Sequence, residues 1–190
     1  MALTPSTMLP LGTAAPDFSL TDTVSGKTMT LASFAGKKGL LVVFLCNHCP
    51  YVKHLKEGLV LLGKDYEKKD VAIVAISAND PQTHPQDSPE QMTLQAKKSG
   101  FSFPYLFDQT QQTAKAYHAV CTPEFYLFDS ERRLVYRGRF DASRPNSQVA
   151  VTGAELRAAA DALLARRPVP ADQRPSVGCS IKWRPGNAPT

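Results

Sequence analysis

Gly39-Leu40-Leu41-Val42-Val43-Phe44-Leu45-Cys46-Asn47-His48-Cys49-Pro50 is the stretch on which the reading of this chain turns. Its first seven residues are an unbroken apolar run, the pattern of a strand buried on both faces of a parallel sheet. Behind it, Val52, Leu55, Leu59, Leu62 and Tyr66 recur at helical spacing, so residues 48–66 read as a helix with one apolar face. A Cys-x-x-Cys thus falls at a strand-to-helix junction. Unpaired N–H groups and the helix dipole favour negative charge there, and a thiolate is the nucleophile of thiol chemistry. The two-residue spacing lets both sulfurs meet within disulfide geometry. The motif points to dithiol–disulfide chemistry. Cys46, N-terminal and accessible, is expected to attack; Cys49, one turn inside the helix and more buried, is expected to resolve. A protonated His48 beside the thiolate would stabilise it further and make the disulfide more oxidising. The plain alternative for His48 is a solvated loop histidine.

Alternating patterns continue along the chain. Residues 71–76 read as a second buried strand, and residues 79–88 as a polar, proline-bearing loop. Ser88-Pro89-Glu90-Gln91 combines an N-cap, a proline at N1 and a capping-box glutamine, opening a helix to about residue 99. Residues 105–107 form a short strand, and Asp108 can cap a helix over 109–117. Residues 125–128 and 133–140 read as strands joined by the turn Asp129-Ser130-Glu131-Arg132. Thr152-Gly153-Ala154-Glu155 is a second capping-box pattern, starting a helix to about residue 166. The β-α-β succession predicts parallel strands with right-handed crossovers, and the later pair an antiparallel hairpin at the sheet edge. The expectation is an α/β fold, a mixed central sheet flanked by helices on both faces. It divides into a domain over residues 10–167 and a C-terminal extension, 168–190. Five prolines in those last 23 residues predict an extended, irregular tail packing on the domain.

Composition narrows the function. A length of 190 residues suffices for one domain with a sizeable core, and 43% hydrophobic with 21% charged residues is ordinary for a globular protein. The formal net charge of +5 is dispersed along the chain, with no basic stripe interleaved with aromatics, so no nucleic-acid partner is expected. No apolar run approaches the roughly 18 residues of a membrane span. Residues 1–16 have neither a charged n-region nor a long apolar h-region, so no secretory signal is read and a cytoplasmic location is expected. In a reducing compartment a Cys-x-x-Cys is catalytic or metal-binding rather than a staple. A structural zinc site needs a second ligand pair, but Cys121 and Cys179 are isolated and His54, His84 and His118 follow no ligand spacing. No metal or organic cofactor is expected. A copper chaperone holding Cu(I) with Cys46, Cys49 and His48 is an alternative, because soft thiolates suit that ion.

Thr122-Pro123 heads an apolar strand, and a proline there must sit at the strand's start or at a bend. It is either a simple strand-entry proline or a cis proline facing the dithiol, leaving the Thr122 backbone free to pair with a substrate peptide.

Together these motifs resemble the thioredoxin-like superfamily, in particular its redoxin branch, related to alkyl hydroperoxide reductases and thiol-specific antioxidant proteins. Ala15-Pro16-Asp17-Phe18-Ser19-Leu20 is similar to that branch's N-terminal signature, Cys46 and Cys49 to the thioredoxin dithiol, and Thr122-Pro123 to its cis-proline loop. Glu124-Phe125-Tyr126-Leu127-Phe128-Asp129 and then Tyr136-Arg137-Gly138 resemble the final hairpin. The resemblance covers about residues 10–166. The ending Pro175-Ser176-Val177-Gly178-Cys179-Ser180-Ile181-Lys182-Trp183 resembles a peroxiredoxin-like subgroup, which implies that the tail belongs to the fold.

The resemblance implies a thioredoxin-like fold and a thiol–disulfide oxidoreductase acting on protein or low-molecular-weight disulfides, returned to the reduced form by an external dithiol. Its site would comprise Cys46, Cys49, Thr122, Pro123 and Glu124, tuned by His48. Leu40 falls where thioredoxin has its buried acid, so Glu124 either takes over proton transfer, as the resemblance implies, or is an exposed strand-end carboxylate. Cys121, two residues before Pro123, is a third redox cysteine or a small buried residue. Cys179 folds back onto Cys121 or Cys46, or is a buried thiol. A thiol peroxidase, in which a low-pKa cysteine forms a sulfenic acid resolved by its neighbour, is the alternative. Departures weaken it: with Cys49 at the peroxidatic position, Cys46 stands at the threonine position, Val42 at the proline position, and Thr122-Pro123 replaces the arginine region.

Overall fold

The apolar run at residues 39–45 becomes the centre of the molecule. In the computed structural model, which describes residues 3–189, all six residues of its strand are buried, with sheet neighbours on both edges. In chain order the elements are β1 (Leu3–Pro5), β2 (Ser19–Asp22), β3 (Thr28–Thr30), β4 (Gly39–Phe44), α1 (Pro50–Glu67), β5 (Val71–Ser77), α2 (Pro89–Ser99) and β6 (Tyr105–Phe107). There follow α3 (Gln112–Ala116), β7 (Cys121–Thr122), β8 (Glu124–Phe128), β9 (Leu134–Gly138), α4 (Ala154–Leu164) and β10 (Val177–Ser180). Short 3-10 turns cover Leu31–Phe34 and Pro85–Asp87.

A seven-stranded mixed sheet runs β3-β2-β6-β5-β4-β8-β9. β4 and β5 are parallel, as are β5 and β6, while β8 pairs antiparallel with both β4 and β9. The expected parallel strands and edge hairpin are present. The β2–β3 hairpin, whose turn contains Gly26 at φ +72°, lies outside the elements read from sequence. Alternate residues of β4 feed two cores. Leu41, Val43 and Leu45 join α1 residues Leu55, Leu59 and Leu62 on one face; Leu40, Val42 and Phe44 join Tyr117, Tyr126 and Phe128 on the other. No helix among the described residues is long and apolar enough to cross a membrane.

Several expected boundaries move for local reasons. Ser88 caps α2 as read, accepting from the Gln91 amide at 3.4 Å. α3 starts at Gln112 rather than 109, because Gln111 takes a left-handed φ of +62° while the Asp108 carboxylate accepts the Ala114 amide. The capping box at Thr152 is replaced: Gly153 is the N-cap at φ +67°, and Asp141 accepts the Thr152 and Gly153 amides at 2.8 and 2.7 Å.

The tail departs most. Residues Val177–Ser180, between Pro175 and Pro185, form β10, with β1 on one edge and β7 on the other in a second sheet ordered β1-β10-β7. Beyond it Ile181 and Trp183 enter the core on the β4 face that holds Phe44.

Candidate functional site

The dithiol sits where β4 hands over to α1, but not as the spacing predicts. α1 begins at Pro50, with Cys49 as its extended N-cap and the first helical bond running from Lys53 N–H to the Cys49 carbonyl at 3.0 Å. Proline suits the first helical position because the N–H it lacks would go unpaired there. Cys49 therefore stands at the N-cap position instead of lying one turn inside the helix, and its sulfur lies 3.2 Å from the Thr122 carbonyl oxygen without making a cap hydrogen bond. Nor is Cys46 accessible as expected: it is 1% exposed, and Cys49 is 0% exposed. The Cys46 sulfur lies 3.1 Å from the Thr122 hydroxyl. Of the two cysteines only Cys46 lines the narrow cleft formed with Val52, Lys53, Lys56, Phe101 and Tyr105.

The two sulfurs are shifted in opposite directions. Donation from Cys46 holds Cys49 below the ordinary thiol range despite its burial, reinforced by the Cys179 thiol and the Val52 amide. Cys46 is pushed up as that donor, then by burial and by the nearby Asp87 carboxylate; the Thr122 hydroxyl opposes this. The lowered pKa thus falls on the sulfur at the helix N-terminus, as the helix dipole favours.

Asp87 is the site residue that the sequence did not reveal. Fully buried in the proline-bearing loop, it accepts from the Asn47 amide at 2.7 Å, the His48 amide at 3.3 Å and the Asn79 side chain at 2.8 Å. Its other close partner is His48 Nδ1, at 2.6 Å. Burial pushes its pKa up, but these bonds outweigh burial and hold it below the ordinary carboxylate range. His48 is neither solvated nor aimed at the thiolate alone. Nδ1 is committed to Asp87, Nε2 is buried without a hydrogen-bond partner, and the ring packs on His84 with centroids 4.7 Å apart. Among the described residues, Cys46, His48 and Asp87 each bring one possible ligand atom within 4.8 Å of the others. That group contains one sulfur and a hard carboxylate, not the soft Cys46–Cys49–His48 set expected for Cu(I).

The Thr122–Pro123 peptide is cis. The Thr122 backbone is not open to a substrate peptide, because β10 occupies it, with Cys179 opposite Thr122 and Ser180 opposite Cys121. Cys179 lies neither on Cys121 nor on Cys46: its sulfur is 2.9 Å from that of Cys49. Glu124 is 2% exposed, not a strand-end carboxylate in solvent; its Oε2 accepts the Val120 and Cys121 amides at 2.9 and 3.2 Å. Its nearest sulfur contact is Cys121, at 3.8 Å, and burial pushes its pKa up. Cys121 is fully buried, and its thiol is driven far up by burial and then by Glu124, which makes it a poor nucleophile.

Fold and site together define a thioredoxin-like α/β protein with a cysteine pair at a strand-to-helix junction beside a cis proline. The chain belongs to the AhpC/TSA family, whose model matches residues 11–137. It is similar over nearly its whole length to a solved structure from Geobacillus kaustophilus described as an uncharacterized conserved protein: 50% identity, TM-score 0.96, covering 98% of each chain. Alkyl hydroperoxide reductase E of Mycobacterium tuberculosis is 29% identical over 144 residues, 72% of this chain and 80% of that protein. The thiol-disulfide oxidoreductase ResA of Geobacillus kaustophilus is 29% identical over 126 residues, 66% of this chain and 67% of that protein.

Proposed function

We propose that this protein is a thiol–disulfide oxidoreductase that cycles Cys46 and Cys49 between dithiol and disulfide, acting on protein or low-molecular-weight disulfides. The observation that carries this reading is the pair of buried cysteines at the N-terminus of α1 against the cis Thr122–Pro123 peptide, with the Cys46 sulfur 3.1 Å from the Thr122 hydroxyl and lining a cleft. Cys46 passes its proton to Cys49 and attacks one sulfur of the substrate disulfide. That S–S bond breaks, a substrate thiolate leaves, and a mixed disulfide forms on Cys46. The leaving thiolate takes the proton from Cys49, whose thiolate then attacks Cys46 and expels the second substrate thiolate. Two electrons pass to the substrate, and an external dithiol of a reducing compartment such as the cytoplasm restores the protein. Thr122 and Pro123 form the wall over the pair. His48 and Asp87 set the charge beside Cys46.

Titration in glutathione buffers, with thiol trapping and mass spectrometry on wild type, Cys46→Ser and Cys49→Ser, tests the cycle. An internal Cys46–Cys49 disulfide in wild type and accelerated reduction of insulin by dithiothreitol are expected. Absence of the disulfide at every buffer ratio sinks the reading.

A peroxidase remains the second reading, favoured by Cys49 capping the helix as a thiolate. Stopped-flow oxidation by hydrogen peroxide no faster than that of a free thiol would remove it.

A further inference from the structure

The tail strand sits where a substrate strand was expected. β10 runs antiparallel to β7, and its approach there is unusually close: a Cβ on Gly178 would lie 2.0 Å from the Thr122 carbonyl oxygen and 2.7 Å from its carbon. Only a glycine lets the strand lie this flat against the residue before Pro123. β1 closes the opposite edge, with Leu3 opposite Cys179, Thr4 opposite Gly178 and Pro5 opposite Val177. Beyond the strand, the Ile181 amide donates to the Val120 carbonyl at 2.9 Å, and Ile181 is buried in the core. The tail is thus held on both edges and at its far end, and its one sulfur is set against the helix-capping sulfur of the dithiol, at 2.9 Å.

We infer that β10 is a captive substrate strand and that Cys179 is a third redox sulfur, which takes the disulfide from Cys46 by exchange at Cys49. This rests on the reading that Cys46 and Cys49 form a disulfide. Cys179, deprotonated, attacks the Cys49 sulfur of that disulfide. A Cys49–Cys179 bond forms, the Cys46–Cys49 bond breaks, and Cys46 leaves as a thiolate that takes up the proton Cys179 lost. Nothing is oxidised or reduced overall; the oxidising equivalent moves one sulfur further from the cleft. Cys46, beside the Thr122 hydroxyl, is then free again to meet a second disulfide or a reductant. In the reduced protein Cys179 is kept as a thiol by burial and by its neighbour Cys49, so exchange waits for the first disulfide.

The test is thiol mapping of the full-length protein across a glutathione titration, in wild type, Cys46→Ser and Cys46→Ser/Gly178→Val. Cys46→Ser removes the competing partner, so a Cys49–Cys179 cross-linked peptide is expected as its main oxidised form. The same peptide is expected beside Cys46–Cys49 in oxidised wild type, which needs no substitution. Gly178→Val displaces β10 and should cut the cross-link at least tenfold. If Cys46–Cys49 forms in wild type but Cys49–Cys179 forms in neither protein, the inference falls and the dithiol reading stands. If wild type forms no internal disulfide, both fall. A Cys49–Cys121 cross-link in place of Cys49–Cys179 also overturns it.

Discussion

Asp87 shows how one side chain sets the chemistry of a residue forty positions away. Its carboxylate stays ionised although buried, because two backbone amides, Asn79 and His48 surround it. After the hydrogen bond to Cys49 and burial, that fixed charge facing Cys46 is the third influence that pushes the Cys46 thiol up. Asp87→Asn should therefore lower the Cys46 pKa, read as a shift of the upper, alkaline step of the thiolate ultraviolet titration to lower pH relative to wild type. An unchanged titration would separate Asp87 from the dithiol. The same substitution should cost on the order of 3 kcal/mol of stability near neutral pH, since it breaks a buried charged network. The sign of its pH dependence follows from a lowered folded-state pKa. Asp87 contributes stability above the ordinary carboxylate range and loses it as pH falls through its own lower value. The gap between wild type and variant in urea unfolding should therefore shrink on acidification. Asp87 was invisible in the sequence because it lies in a stretch of Pro, Gln, Thr and His that reads as punctuation. Only the hydrogen bonds of the folded loop carry it to the motif.

Among the elements, those whose pattern repeats over many residues were legible: β4, β5, α2 and the β8–β9 hairpin follow from apolar runs, a cap and a turn. Elements set by one backbone torsion or one distant side chain were not. α1 loses its expected first turn to Pro50, which moves Cys49 from inside the helix to its cap and so exchanges the charge states expected of the two sulfurs. α4 is capped at Gly153, where a φ of +67° goes with a close approach of Phe140, whose ring would lie 2.6 Å from an added Cβ. Phe140 is 1% exposed and packs on Phe125, so it cannot yield freely. Gly153→Ala combines left-handed strain with overpacking and should cost about 2–4 kcal/mol. A urea midpoint within error of wild type would show that the loop relaxes at no cost. Cys121→Ser tests the opposite case. Its sulfur contacts Glu124 and the Pro123 carbonyl, and burial and then Glu124 drive its thiol up, so the redox titration should not move.

At the scale of the whole molecule, the C-terminal strand β10 is tied to the cysteine pair, with Cys179 2.9 Å from Cys49. The prolines that made residues 168–190 read as irregular lie outside the interval Val177–Ser180, and that interval is the strand. The remaining wiring runs through backbone groups that no side-chain pattern encodes. The Lys182 amide donates to Asn79 Oδ1 at 2.8 Å, the Lys182 carbonyl accepts from the Asp80 amide and Gln111, and Asn79 Nδ2 donates to Asp87. Asn79, 2% exposed, thus touches both the tail and the carboxylate beside Cys46. Asn79→Ala leaves a buried amide and a buried carboxylate each short of a partner, and should cost about 2–4 kcal/mol. With one donor gone, the Asp87 pKa should rise toward the ordinary carboxylate range. Two readouts should therefore move together. Hydrogen exchange at Ile181 and Lys182 should speed up, and the acid loss of stability attributed to Asp87 should begin at higher pH. If exchange in the tail quickens while the acid transition stays where it is in wild type, the tail is merely anchored at Asn79 and does not act on the dithiol through it.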